Sequence, residues 1–380
     1  MARAHARSKP TPSVGAVAAR PVFIGLVALA LLTGIAGGLM RVGVVVGPAI
    51  PAEWLGRAAL SHAALMICAF LGTVIGLERA VAVKLRLAFV APLASALGGV
   101  CLLLGQGAAA GWLMVVAAVA FTGVNIVVVR RQWAAHTLLL LGSAGTWLAG
   151  NALFAMGQGS AGILPWWFAF LVITIAAERL EMTRLMRRRP AAPWMLGAVL
   201  ALMIVGAALS AFAGPLGGVL YGASLVLLAA WLVVFDIARR TVFAQGLSRY
   251  MAVCLLGGYA WLAVAGAAWI ATALGLPLRD VALHALGLGF IFSMMMGHAP
   301  VILPAVARVK LQFGGFFYVP LAALHASLAM RLFWGAADVS QRATGATFNA
   351  AAIALFAATV VGAAVAWRIK YSAEGAKGTT

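Results

Sequence analysis

DVALHALGLGFIFSMMMGHAPVILPAVARVKL, residues 280–311, is the stretch whose reading decides the fold. Its apolar run exceeds the roughly 20 residues that carry a helix across a bilayer, so it predicts a membrane span. It also holds two histidines, His284 near its start and His298 fourteen residues on. An ionisable side chain inside hydrocarbon is costly, which makes both functional candidates. With about 1.5 Å and 100° per residue, a regular helix sets the two imidazoles roughly 21 Å apart on nearly one face. Gly287, Gly289 and Gly297 leave room for another helix or a flat cofactor to approach. The plainer alternative is two core histidines bonded to neighbouring carbonyls.

Working outward, the same character holds over the whole chain. It is 64% apolar and 9% charged, which places it among polytopic, all-α membrane proteins. The net charge of +19 is no nucleic-acid footprint, because the basic residues sit in short loops between apolar runs. Cys68, Cys101 and Cys254 all fall inside apolar runs, without metal-ligand spacing, and no Cys-x-x-Cys-His attaches a haem covalently. The first apolar run is too long for a signal peptide and reads as a retained helix.

Twelve membrane helices are expected, at 21–47, 58–78, 87–107, 110–129, 136–157, 162–182, 194–213, 216–237, 250–274, 281–307, 315–335 and 345–367. They form one domain, 21–367, between a basic tail at 1–20 and a second tail at 368–380. With the N-terminus in the cytoplasm, all 27 basic residues except Arg41, Arg57, Arg279, Arg331 and Arg342 lie on the inner side. The expectation is a multi-pass protein of a bacterial-type inner membrane, in contact with lipid, with both termini cytoplasmic. Trp54, Trp112, Trp166, Trp167 and Trp334 near outer helix ends, and Trp133, Trp194 and Trp367 near inner ones, read as aromatic belts. A faint repeat of four helices links HAALMICAFLGTVIGLERA in the second helix to HALGLGFIFSMMMGHAPVI in the tenth, and sets Glu78 beside Glu178 of the sixth. Coincidence between apolar helices is the competing explanation.

Four histidines lie in the spans. His62 and His284 fall at one depth, about a turn inside the outer surface. Two neutral imidazoles so placed are what a bis-histidine haem b requires, with Arg41, Arg57 and Arg279 at the level of its anionic propionates. Hydrogen bonding in the interface is the alternative. His298 and His325 share a depth nearer the cytoplasm, with Glu78 and Glu178 close to it. That group is read as a metal site, copper included, a second haem or a proton relay. The alternatives are interfacial ion pairs for Glu78-Arg79 and Glu178-Arg179, and a His298 that satisfies backbone freed by Pro300 and Pro304. Consecutive Met294, Met295 and Met296 face different ways and read as core. His5 and His136 read as solvated or interfacial.

Twelve helices with histidines on the second and tenth form a haem-copper-oxidase-like bundle, resembling subunit I of those enzymes. HALGLGFIFSMMMGHAP, with His-Ala-Leu and then Gly-His, is more similar to the NnrS family of haem- and copper-containing membrane proteins. That resemblance implies a haem at His62 and His284 and a role in redox chemistry, detoxification or sensing linked to nitric oxide, with a small diatomic ligand or a redox donor as partner. The chain departs from the oxidases in having no histidine in helices six and seven, and Leu286 where their tenth helix repeats histidine. It departs from NnrS with Ala299-Pro300-Val301 after Gly-His. Two rivals remain: a twelve-helix secondary transporter of major-facilitator type, and an assembly factor without cofactor.

Overall fold

Hydrocarbon offers backbone N–H and C=O groups no water, so an apolar chain pairs them within each segment as helix. The computed structural model describes residues 14–45, 47, 51–183, 191–212, 214–306 and 309–377. These are all α, with no strand among the described residues. Twelve helices are long and apolar enough to span a membrane: α1 Pro21–Arg41, α2 His62–Val83, α3 Arg86–Leu103, α4 Gly107–Arg131, α5 Ala135–Ala155, α6 Ser160–Met182, α7 Ala191–Leu209, α8 Pro215–Phe235, α9 Gly246–Ala273, α10 Arg279–Pro304, α11 Gly315–Trp334 and α12 Val339–Lys370. The protein is a polytopic all-α membrane protein. Residues 1–13, 184–190 and Arg308, which carry part of the expected charge asymmetry, lie outside the described residues.

Several helix ends differ from expectation for local reasons. The first helix stops at Arg41 and not at 47, because Gly43 takes a positive φ of 80° and turns the chain. A separate helix, Ala52–Leu60, ends at Ser61, so α2 begins at His62. It runs on to Val83 before Lys84 turns left-handed, which moves Glu78 and Arg79 from a helix end to its interior. At the two ends of the chain, helix continues through residues 14–20 and on to Lys377, where tails were expected.

Burial separates inner from outer helices. In the apolar windows, 72% of α6 and 61% of α10 are buried, against 22% of α12 and 28% of α1. The core around α6 is aromatic: Phe170 stacks on Trp147 at 4.7 Å, and Phe121 meets both edge-on. Trp167 turns into this core and donates to Asn151 Oδ1 at 2.8 Å, so it is no part of a lipid-facing belt.

Sequence periodicity gave no sign of one feature of α2 and α10. Each contains an eight-residue π-helical stretch just after its histidine, Leu65–Gly72 and Ala285–Phe292. Bonding from i to i+5 widens the helix there, and such stretches gather at functional sites. Each also carries a glycine that admits a tryptophan. A Cβ on Gly72 would lie 2.6 Å from the Trp147 ring, and one on Gly289 2.4 Å from that of Trp261. The likeness of α2 and α10 therefore extends to the backbone. By contrast α6, the third supposed repeat, is uninterrupted α-helix.

Candidate functional site

The starts of α2 and α10 enclose a cavity of about 550 Å³, within the range of roughly 300–1,000 Å³ usual for small-molecule sites. His62 and His284 both line it, their ring centres 6.4 Å apart and their planes 23° apart. Its deeper wall is apolar, with Phe70, Phe168, Leu171 and Phe292, and its rim carries Arg41, Arg279, Arg331 and Arg342. An aromatic floor beneath a cationic rim suits a flat, apolar molecule with an anionic edge.

Each histidine is oriented from behind. His62 Nδ1 lies 2.7 Å from the Gly34 carbonyl of α1, to which it donates, and Nε2 keeps its lone pair. Among the described residues that nitrogen has no hydrogen-bond partner. A Cβ on Gly38 would lie 2.7 Å from the same ring, so α1 closes in against His62 because that residue is glycine. His284 Nδ1 lies 3.0 Å from both the backbone carbonyl and Oδ1 of Asp280, one turn back. Backbone or carboxylate bonds of this kind fix ring tautomers wherever imidazole serves as a ligand. The other rim groups are also placed: Arg279 donates to Ser160 Oγ at 2.8 Å, Arg41 to the Ala59 carbonyl at 3.2 Å, and Arg342 to the Gly335 carbonyl at 2.8 Å.

Of the residues expected here, His62, His284, Arg41 and Arg279 come together. Arg57 does not line the cavity; it pairs with Glu53 and donates to the Leu103 carbonyl. The second expected group is drawn into separate contacts. His298 bonds Met294 O through Nδ1 (2.6 Å) and takes a hydrogen bond from Arg179 on Nε2 (2.9 Å). His325 accepts from Trp261 Nε1 on Nδ1 (2.9 Å), and its Nε2 meets Ser293 Oγ at 3.2 Å. Both rings are thus filled by protein partners. Glu178 lies 3.9 Å from Arg79, a loose pair between helices. Among the described residues no three His, Cys, Asp or Glu groups gather as metal ligands. The carbonyl freed by Pro300 is that of Met296, and it accepts from Tyr250 OH at 3.4 Å, not from His298. His136, expected to be solvated or interfacial, is buried at the start of α5, with Nε2 3.7 Å from Glu181.

Asp280 and Arg331 were overlooked. Arg331 makes a two-point ion pair with Asp280, Nε to Oδ2 at 3.1 Å and Nη2 to Oδ1 at 2.9 Å, while only 7% exposed. Its sequence signal was a charge inside the expected span 315–335, set aside as one of a few outer-face arginines. For Asp280 the signal was its i,i+4 spacing to His284.

Fold and cavity together define a polytopic membrane protein with a histidine-flanked, arginine-rimmed pocket at one end of the bundle. Residues 20–365 match the family described as Domain of unknown function (DUF8744), and the chain belongs to that family. No curated protein and no solved structure matches it.

Proposed function

We propose that this protein is a haem-binding membrane protein, with haem b in the cavity between His62 and His284, serving redox chemistry or the binding of a small diatomic such as nitric oxide. One observation carries the reading: two imidazoles from different helices face one cavity with ring centres 6.4 Å apart. Metal–imidazole bonds of about 2 Å on opposite sides of one metal would set ring centres roughly 6 Å apart. The donor chemistry fits, since His62 offers a neutral nitrogen oriented by Gly34. Arg41, Arg279 and Arg342 supply cations for two propionates, and the aromatic floor shields the macrocycle from water. Haem held by His62 and His284 would supply a redox-active iron for electron transfer or the binding of a small ligand. Placement in an inner membrane with cytoplasmic termini rests on the distribution of Lys and Arg.

The test is a visible absorption spectrum of protein purified from haem-replete cells. Soret and α bands that sharpen on reduction are expected, with loss of the haem in His62→Ala. Folded, colourless wild-type protein would overturn the reading and leave the transporter hypothesis in the lead.

A further inference from the structure

The two histidines rest on unlike supports. His62 donates from Nδ1 to the Gly34 carbonyl, a neutral acceptor on the backbone. His284 Nδ1 lies 3.0 Å from the backbone carbonyl of Asp280 and equally far from its carboxylate Oδ1. That carboxylate does not act on the ring alone. Arg331 holds Oδ1 through Nη2 at 2.9 Å and Oδ2 through Nε at 3.1 Å. The same Nη2 lies 3.1 Å from Nε2 and 3.3 Å from Nδ1 of His284. The guanidinium thus rests against the imidazole, nearly midway between its nitrogens, and leaves the in-plane lone pair of Nε2 to a metal. Arg331 is nearly buried, and Gly345 of α12 packs so close that a Cβ there would lie 2.6 Å from Arg331 Cα. The cation is fixed beside the ring and little screened.

Opposite charges therefore meet on one ligand and not on the other. A carboxylate that accepts from an imidazole N–H makes the ligand more basic and favours the oxidised metal. A buried cation beside the same ring favours the reduced metal. We propose, on the basis of the haem reading, that Asp280 and Arg331 are positioning residues that act through His284 and set the reduction potential of the site, Asp280 lowering it and Arg331 raising it. Uptake of one electron from a redox donor exchanges no proton and no bond, so the pair shifts that equilibrium alone. Charge and orientation are separable here, because the backbone carbonyl of residue 280 holds the ring whichever side chain is changed.

The experiment is a spectroscopic redox titration of haem-loaded, full-length protein in detergent. Asp280→Asn keeps an oxygen for Arg331, and the Asp280 side chain is 27% exposed, so the change falls at the wet edge of the site. Its midpoint potential should rise by about 59 mV, a tenfold change in a one-electron equilibrium constant. Arg331→Met should lower the potential by a similar factor. The double variant Asp280→Asn/Arg331→Met leaves neither charge alone and should return to within about twofold of wild type. All three should keep the wild-type α band, since both Nε2 atoms still face the cavity. Shifts of opposite sign are what a merely structural pair would not give, and if one single variant does not fold, the sign of the other decides. Single-variant shifts of the same sign, a sign opposite to the expected one, or potentials within about twofold of wild type would overturn the inference and leave the haem reading standing. Colourless wild-type protein would overturn both.

Discussion

The two ends of the bundle use the same residue types and do opposite things with them. At one end His62, His284, Asp280 and four arginines surround a cavity, and His62 Nε2 has no partner among the described residues. Towards the other end Arg179, His298, Glu178, Arg79 and Asp236 turn on one another. Arg179 is 4% exposed and bonds His298 across from α6 to α10. A histidine beside a carboxylate and an arginine is therefore no signature of a site. What marks the first end is an uncommitted nitrogen facing space, and the second end has used its nitrogens for packing.

Replacing Arg179 by Met should produce the largest effect. It removes the buried guanidinium that bonds His298 and opposes the charge of Asp236, a loss on the order of 1.5–3 kcal/mol for a hydrogen bond from a charged group. Thermal unfolding in detergent should show a markedly lower Tm, while haem per folded molecule stays unchanged. Reduced haem content in the folded fraction would mean that the two ends are coupled and break the contrast.

Gly287→Phe probes the cavity end next. A Cβ there would meet only Phe168, at 3.9 Å, so the fold should tolerate the change while the ring fills the cavity. Haem content should fall about tenfold, equivalent to about 1.4 kcal/mol of binding, with Tm of the haem-free protein near wild type. Undiminished haem would place the cofactor elsewhere.

How far these features were legible depends on what signals them. Hydropathy announced the spans because bilayer thickness imposes length and backbone pairing imposes helix. His62 and His284 were found by depth alone, since both open helices that start at the same end. The π-helical stretches left no trace in composition, and Ala285–Phe292 interrupts the even 100° step by which His284 and His298 had been placed on one face. Depth matching could not foresee the partners of His298 and His325, because equal depth says nothing of which neighbour a ring meets. Here those neighbours are Arg179 for one and Trp261 with Ser293 for the other. Asp280 looked like an ordinary acidic residue at a helix start, and its pairing with Arg331 joins residues 51 positions apart.

A smaller effect separates two arginines that looked alike in sequence. Arg41→Ala should weaken haem retention by a few-fold, in keeping with about 0–1 kcal/mol for an exposed charge pair. Arg57→Ala should leave retention unchanged, because its partners are Glu53 and Leu103. Equal losses in haem-transfer assays would mean that the rim acts through its overall field and not through placed groups.

The smallest effect is a pH dependence at the packed end. Asp236 follows the last residue of α8, and burial raises its carboxyl above the usual carboxylate range despite the opposing pull of Arg179. The folded protein then keeps this proton to higher pH than the unfolded chain does. Its stability should fall as pH rises from about 3.9, the unfolded value, through the folded one. Asp236→Asn keeps an oxygen for the Ala238 N–H and should flatten that slope in detergent unfolding curves. An unchanged slope would assign it to another group.

The visible spectrum of His62→Ala beside wild type tests the central claim most directly. Removing the His62 imidazole should leave folded, monodisperse protein with its Soret absorbance reduced to background, while wild type binds haem in a ratio near one. His62→Ala protein that retains full haem absorbance with an unaltered spectrum would contradict the account.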